Sequence, residues 1–366
     1  MLTTLLALAC VALLAYANGA NDNFKGVATL FGSGVSDYRR ALWWATATTL
    51  CGSVAAIFLT SHLVETFSGK LFVSGATLAL PGFALAVCAA CAATVLIATR
   101  IGAPISTTHA LAGSLLGAAF AAPESVVDWA KAGRSIFLPL AVGPVVAVLA
   151  ALVLYPLFTR LRTAFGINRQ TCVCIGEEWV PQGQVAAFAG IRVSVDSTQA
   201  CQERYQGAVL GVSAQALLDS LHYLSAGLAS FARGVNDTPK IVALTLMATP
   251  FIKTGAFSAV GVIIAAGGLL GARRVAETMS KKITAMNPGQ GLTANLITSG
   301  LVLAASPMGL PLSTTHVSCG ALFGIGAVNR QARWTTVAGI VAAWLVTLPL
   351  AAALGASCMR AALLLN

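Results

Sequence analysis

Apolar runs long enough to cross a membrane make up most of the chain, and polar positions interrupt them at a few sharply defined places. A helical crossing takes about 20 apolar residues. Residues 41–60, 136–158, 255–271 and 334–356 are the clearest such windows. The run over residues 1–34 is too long for one crossing, and the polar cluster 18–25 falls near its middle. Gly19 and Gly26 bracket that cluster. Two half-helices with an unwound joint are therefore expected, which a membrane tolerates only where the joint is buried or lines a cavity. No basic segment precedes this run as it would in a secretory signal, so the run is expected to be retained. Residues 83–122 carry a Gly-x-Pro at their centre and read as a hairpin.

Composition agrees with this pattern. Of 366 residues, 57% are hydrophobic and 9% charged, against about 25% charged in soluble domains; mean hydropathy is +0.83. The net charge of +10 comes from 22 Lys and Arg against 12 Asp and Glu. The basic residues cluster between apolar segments in runs no longer than two, which fits positive-inside loops and excludes nucleic acid as a partner. Six of nine cysteines lie in apolar runs, where they act as small hydrophobes. Cys172, Cys174 and Cys201 lie in the one long polar stretch, residues 159–205. That stretch holds a Gly176-Glu177-Glu178 turn, Pro181 and an alternating run over 191–195, and reads as a small loop or β-hairpin. It is too short for a separate folded domain. No spacing of His, Cys and Asp matches a zinc pattern, and no Walker-type phosphate loop occurs.

Three blocks recur in order. GANDNFK (19–25) matches GVNDTPK (234–240), ETFSGKL (65–71) matches ETMSKKI (277–283), and GAPISTTHALAGSLLG (102–117) matches GLPLSTTHVSCGALFG (309–324). The offsets are 215, 212 and 207 residues. The chain is thus expected to be an all-α polytopic membrane protein of two inverted-topology repeats with broken helices and re-entrant hairpins. Residues 1–158 form the first repeat, 159–205 a cytosolic linker and 206–366 the second repeat. With both termini outside, thirteen Lys and Arg fall in inside loops, Arg169 and Arg204 among them, and five outside, Lys253 among those. The positive-inside rule favours that arrangement. A cytosolic linker implies reduced thiols at its three cysteines. Inverted repeats with polar interruptions mark secondary transporters, whose site lies at mid-membrane.

The interruptions offer chemistry. Asn21 and Asp22, mirrored by Asn236 and Asp237, supply hard oxygen ligands suited to sodium or to proton exchange; the alternative is a polar cap between helices. An intramembrane aspartate is costly and usually functional. Pro104 and Pro311 break the hairpins, and Ser106-Thr107-Thr108 and Ser313-Thr314-Thr315 follow at helix N-termini. Hydroxyls and backbone N–H groups there suit a tetrahedral oxyanion, although capping alone would also use a hydroxyl. His109 and His316 either brace the hairpins by hydrogen bonding or relay protons. Lys25 and Lys240 follow their aspartates by three residues, in reach for pairing. Each is expected to contact its Asp in one conformation and compete there with the coupling cation, or else to snorkel to an interface. Arg100, beside the first tip, could attract an anion or bond backbone carbonyls. Asp219 and His222 lack counterparts in the first half and mark a cytosolic helix end or a proton path.

Taken together, the GAND and GVND motifs, the two P-x-STTH hairpins and the ET-x-S-x-K blocks resemble the inorganic phosphate transporter (PiT) family over nearly the whole chain apart from 159–205. The resemblance implies symport of phosphate with sodium or protons. By motif, Asn21, Asp22, Asn236 and Asp237 would serve the coupling cation. Ser106, Thr107, Thr108, Ser313, Thr314 and Thr315 would hold the anion, with Lys25, Lys240, His109 and His316 modulating. Asn23-Phe24-Lys25 and Thr238-Pro239-Lys240 depart from the small residues that many members carry after GAND. Related sulfate permeases share the architecture, and hydroxyls, donors and acceptors alike, suit either anion. The expected partners are inorganic phosphate or sulfate and the lipid bilayer, and a homodimer is possible. No cofactor is expected beyond sodium or a proton, no metal beyond sodium at the Asn and Asp pairs, and no enzymatic activity. A membrane enzyme is disfavoured because catalysis needs one asymmetric site, and a passive channel would not need the Asp pairs.

Overall fold

The computed structural model describes residues 2–168, 170–182, 185–197, 199–201, 210–249 and 253–364. Met1, Arg169, Arg204 and the side chain of Lys253 lie outside the described residues. Among the described residues the chain is mostly helical, with one small sheet. Among the described residues, five helical stretches are long and apolar enough to cross a membrane: Leu2–Gly32, Tyr38–Leu59, Phe83–Ile101, Trp129–Ala164 and Trp334–Leu364. Gly255–Gly271 with Arg273–Lys282, bent by 68°, makes a sixth if the pair is one span.

Helix α1 (Leu2–Asp22) ends at the polar cluster; Lys25–Val27 form one 3-10 turn, and α2 (Ala28–Gly32) resumes the path. The expected break is present, although it begins after Asp22 and not at Asn18. Phe24 marks the reason. It leaves the helix axis to stack on Tyr38 at 5.0 Å and pack edge-on to Phe31 at 5.9 Å. The second half differs. Helix α7 (Ala214–Ala248) runs unbroken through Gly234–Lys240, Pro239 included, so the expected mirrored break is absent. Pro239 stands where Phe24 stands in the first half, and Ile241 replaces Gly26. Ile241, Val242, Ala243 and Leu244 are all fully buried, and their packing outweighs the hydrogen bond that a mid-helix proline forfeits.

Other helices, short turns aside, are α3 (Tyr38–Leu59), α4 (Phe83–Ile101), α5 (Thr107–Ala121), α6 (Leu138–Ala164), α8 (Lys253–Gly271), α9 (Arg273–Glu277), α10 (Pro288–Ala305), α11 (Thr314–Val328) and α12 (Trp334–Leu364). Local sequence sets their ends. Asp37 caps α3 by accepting from the Arg40 N–H, and Asn287 and Gln290 form a capping box at α10. Gly102, at φ +73°, closes α4 in the left-handed conformation that glycine adopts without strain. The halves interlock by exchanging neighbours: α1 packs on α8, α3 on α7, α5 on α12, and α6 on α11.

Between α6 and α7 lies an antiparallel sheet of β1 (Thr171–Gln182), β2 (Val185–Ser197) and β3 (Leu210–Ser213) in the order β2-β1-β3. This is the expected β-hairpin with one strand added. Gly176-Glu177-Glu178 lie inside β1, paired with Arg192, Ile191 and Gly190, so they are not the turn. The alternation that pairs β1 with β2 continues through them. Cys172, Cys174 and Cys201 are buried, with all three sulfurs within 4.8 Å of one another. Cys174 and Cys201 form a disulfide, in place of the reduced pair expected, because the chain returns after β2 to lay Cys201 beside β1.

Candidate functional site

The glycine of each G-x-N-D motif permits a close helix crossing. A Cβ at Gly19 would lie 1.9 Å from the Ile264 carbonyl oxygen, and one at Gly234 would lie 2.2 Å from that of Thr49. These crossings, α1 on α8 and α7 on α3, bring Asn21, Asp22, Asn236 and Asp237 into the interior, each 3% exposed or less. The hairpin tips close on the same region. The carbonyls of Gly102 and Gly309, which open the tips, accept hydrogen bonds from Thr278 (3.0 Å) and Thr66 (3.2 Å). The two ET-x-S blocks are therefore latches, each holding the tip of the other half.

Inside this frame the polar contacts recur in pairs. Lys25 Nζ donates to the Asp22 carboxylate, to Asn21 Oδ1 (2.9 Å), to the Ile105 carbonyl (2.9 Å) and to Thr315 Oγ1 (2.6 Å). Lys240 Nζ donates to Asp237 Oδ1 (3.3 Å), to the Leu312 carbonyl (2.9 Å) and to Thr108 Oγ1 (2.8 Å). Ile105 and Leu312 are equivalent positions, as are Thr108 and Thr315. Each lysine thus joins the aspartate and tip of its own half to the tip of the other. The lysines pair with their aspartates rather than snorkelling, and both are buried.

Asn21 Nδ2 reaches Thr99 Oγ1 (3.0 Å) and the Ala103 carbonyl (3.1 Å). Asn236 Nδ2 reaches the Leu312 carbonyl (3.0 Å), and Ser306, the counterpart of Thr99, donates to Asn236 Oδ1 (3.3 Å). The six tip hydroxyls divide their work. Ser106 and Ser313 accept from the backbone N–H of His109 and His316 and act as N-caps. Thr107 donates to Asp22 Oδ2 (3.0 Å), Thr108 and Thr315 hold the lysines, and Thr314 lines a small cavity.

The histidines meet across the tips. The His109 and His316 rings lie 4.4 Å apart, and His316 packs on Trp344 at 3.8 Å. Among the described residues, His109 Nδ1 and both His316 ring nitrogens have no hydrogen-bond partner. The expected bracing is ring packing, not hydrogen bonding. Outside this cluster, His222 Nε2 lies 3.0 Å from Thr29 Oγ1, Asp219 accepts from Gln215, and the Arg100 side chain is exposed.

Sequence reasoning missed Arg233 and Asn18, although the repeat alignment extends to them: NGAND stands over RGVND. Arg233 is 2% exposed and donates to Asn18 Oδ1 (3.3 Å) and Asn23 Oδ1 (3.1 Å), with Asp237 Oδ2 at 3.8 Å. Asn18 Nδ2 reaches both carboxylates, Asp22 at 3.0 Å and Asp237 at 3.4 Å. Among the described residues, the buried acids are Asp22 and Asp237, and the buried strong bases are Lys25, Arg233 and Lys240. Three cations against two carboxylates leave one positive charge. Buried charge needs a counter-charge, and an anion at the tips would supply it. The cavity beside Lys25, Arg233, Asn295, Thr298, Thr314 and Ser318 measures about 20 Å³, room for about one water molecule. That is too small for a tetrahedral oxyanion in this conformation.

A chain of membrane-crossing helices with a buried polar cluster held between two facing hairpins has the architecture of a transporter. Residues 18–355 match the phosphate transporter family, and the chain belongs to it. A relative described as "Probable low-affinity inorganic phosphate transporter" in Rhizobium meliloti is 29% identical, covering 95% of this chain and 92% of that one. The chloroplastic inorganic phosphate transporter 2-1 of Arabidopsis thaliana is 24% identical, covering 93% and 69%. A solved structure entitled "The sodium-dependent phosphate transporter" superposes with a TM-score of 0.77 at 22% identity over the whole of both chains, so the fold is shared. These relatives are transporters, not enzymes.

Proposed function

We propose that this protein moves inorganic phosphate across a membrane by secondary active symport with a cation, sodium or a proton. The observation that carries the reading is the unmatched buried positive charge where the hairpin tips meet. A singly charged dihydrogen phosphate neutralises it. That anion also brings hydroxyls to donate and oxygens to accept, matching threonines that do both. The family relationship supports phosphate in particular.

In this reading the anion sits among Thr107, Thr108, Thr314 and Thr315, with Ser106 and Ser313 fixing the helix starts behind them. Arg233 supplies the standing charge. Asp22 and Asp237 are where the coupling cation exchanges, since they are the buried carboxylates beside the seat. Lys25 and Lys240 bridge the halves, so moving one half against the other breaks these contacts and opens the seat to one side at a time. The basic residues favour termini outside and a cytosolic sheet linker; the Cys174–Cys201 disulfide points the other way, and thiol labelling from each side of the membrane decides between them. A homodimer is the assembly proposed.

The test is uptake of labelled phosphate and labelled sulfate into proteoliposomes under a sodium gradient, a proton gradient or neither. Phosphate accumulating under a gradient, and not without one, is the expected result. Sulfate accumulating with phosphate excluded would retain the architecture and overturn the substrate.

A further inference from the structure

The surroundings of the two lysine ammonium groups are unlike those of an ordinary ion pair. Lys25 Nζ meets four oxygens: an amide oxygen, a carboxylate, a backbone carbonyl and a hydroxyl, at Asn21, Asp22, Ile105 and Thr315. An ammonium has three N–H groups, so this shell holds more acceptors than the lysine can fully use. Four or more oxygens of mixed type around one point is the shell a spherical cation takes. Carbonyls of unwound backbone are usual contributors in membranes. Ile105 and Leu312 are of this kind, each just before a tip helix with its carbonyl turned to a lysine. The Lys240 shell repeats three of the four ligand types, with Asp237, Leu312 and Thr108.

We infer that Lys25 and Lys240 are resident cations: their ammonium groups fill two oxygen cages of the mixed kind a small monovalent ion takes, so the chain binds its anion without sodium. The ammonium supplies the charge that an external ion would otherwise bring, and its tether keeps it from crossing. A tethered charge cannot be transported, so a gradient must act through a proton exchanged at the carboxylates. This deepens the symport reading by naming its ion, and rests on that reading for uptake alone. Three of the ligands stand at equivalent positions in the two repeats, so both lysines carry the same role.

The test uses the full-length chain and sodium itself as the probe. Equilibrium binding of radiolabelled sodium is measured for the wild type and for Lys25→Ala, Lys240→Ala and the double variant. In parallel, phosphate uptake into proteoliposomes under a proton gradient is followed with sodium or with choline. Expected are no saturable sodium binding by the wild type and uptake changed less than about two-fold by the swap. Each alanine variant should gain saturable sodium binding, and sodium should raise its melting temperature. The inference is overturned by saturable sodium binding to the wild type, or by wild-type uptake that collapses in choline. Variants that elute as folded protein yet bind no sodium also overturn it. Should the variants not fold, the wild-type binding measurement still decides. A wild type that accumulates phosphate under no gradient sinks the symport reading, and the sodium binding still decides the cages.

Discussion

Asn18 and Arg233 occupy the same position in the two copies of the motif, and they hydrogen-bond to each other at 3.3 Å. A duplication usually preserves charge at a shared site; here one copy carries a neutral amide and the other a guanidinium. That single difference makes the net charge of the buried cluster positive. It also makes the seat asymmetric, with Thr107 tied to Asp22 and Asn18 while its counterpart Thr314 faces the cavity.

Restoring the symmetry should therefore weaken the anion site. In Arg233→Asn the cluster becomes neutral, and phosphate binding measured by calorimetry should fall by at least about ten-fold, or about 1.4 kcal/mol. Asp237 keeps Lys240 and Asn236 as partners, so the folded protein should survive. Unchanged phosphate affinity in well-folded Arg233→Asn would contradict the charge argument.

Much of this arrangement is legible in the sequence because each repeated motif carries its own local physics. A Gly-x-Pro followed by Ser-Thr-Thr must stop one helix and cap the next, and both hairpins obey. Lys240 lies on its aspartate because three residues is about one turn of the unbroken α7, and the tight turn after Asp22 brings Lys25 back in the same way. Arg233 was hidden for a different reason: it enters through a mismatch between the repeats, and a search for repeated residues passes over it. The unbroken α7 was hidden because Gly26 and Ile241 bear on the break only through what packs against them. The ET-x-S blocks were visible as repeats yet silent on role, since their partners are backbone carbonyls of the other half.

The latches carry a prediction of their own. Thr66→Val and Thr278→Val each remove one hydroxyl that holds a tip glycine carbonyl. Each should lower stability by about 1 kcal/mol, the net worth of one hydrogen bond. The two should act alike because they are equivalent. Their effect should show in melting curves and be reduced by saturating phosphate, which holds the tips from within. If only one of the two destabilises, the latches are not a matched pair.

Close crossing at the motif glycines predicts a sharper loss. Gly19→Ala places a methyl 1.9 Å from the Ile264 carbonyl oxygen, against backbone on a packed helix that cannot swing aside. Overpacking of this kind typically costs 1–3 kcal/mol, and a clash with backbone belongs at the upper end. Gly234→Ala should behave similarly against Thr49. Gly300→Ala, where no atom lies within 4 Å, is the control. Monodisperse yield by size-exclusion chromatography separates the two classes, and equal yields for all three would refute the crossing argument.

The histidine pair gives the last prediction. His316 is buried between His109 and Trp344, with no hydrogen-bond partner for either ring nitrogen among the described residues. A buried polar atom without a partner costs roughly 1–3 kcal/mol. Phenylalanine keeps a flat ring for the contacts with His109 and Trp344 and removes both nitrogens, at the expense of a slightly larger volume. His316→Phe should leave stability unchanged or raised, and phosphate uptake should be retained with the same pH profile. A folded His316→Phe protein that loses uptake, or whose uptake shifts along the pH axis, would show that the ring nitrogens handle protons during the transport cycle. In that event the unsatisfied nitrogens are a cost kept for function, and the packed rings are a relay between the two tips.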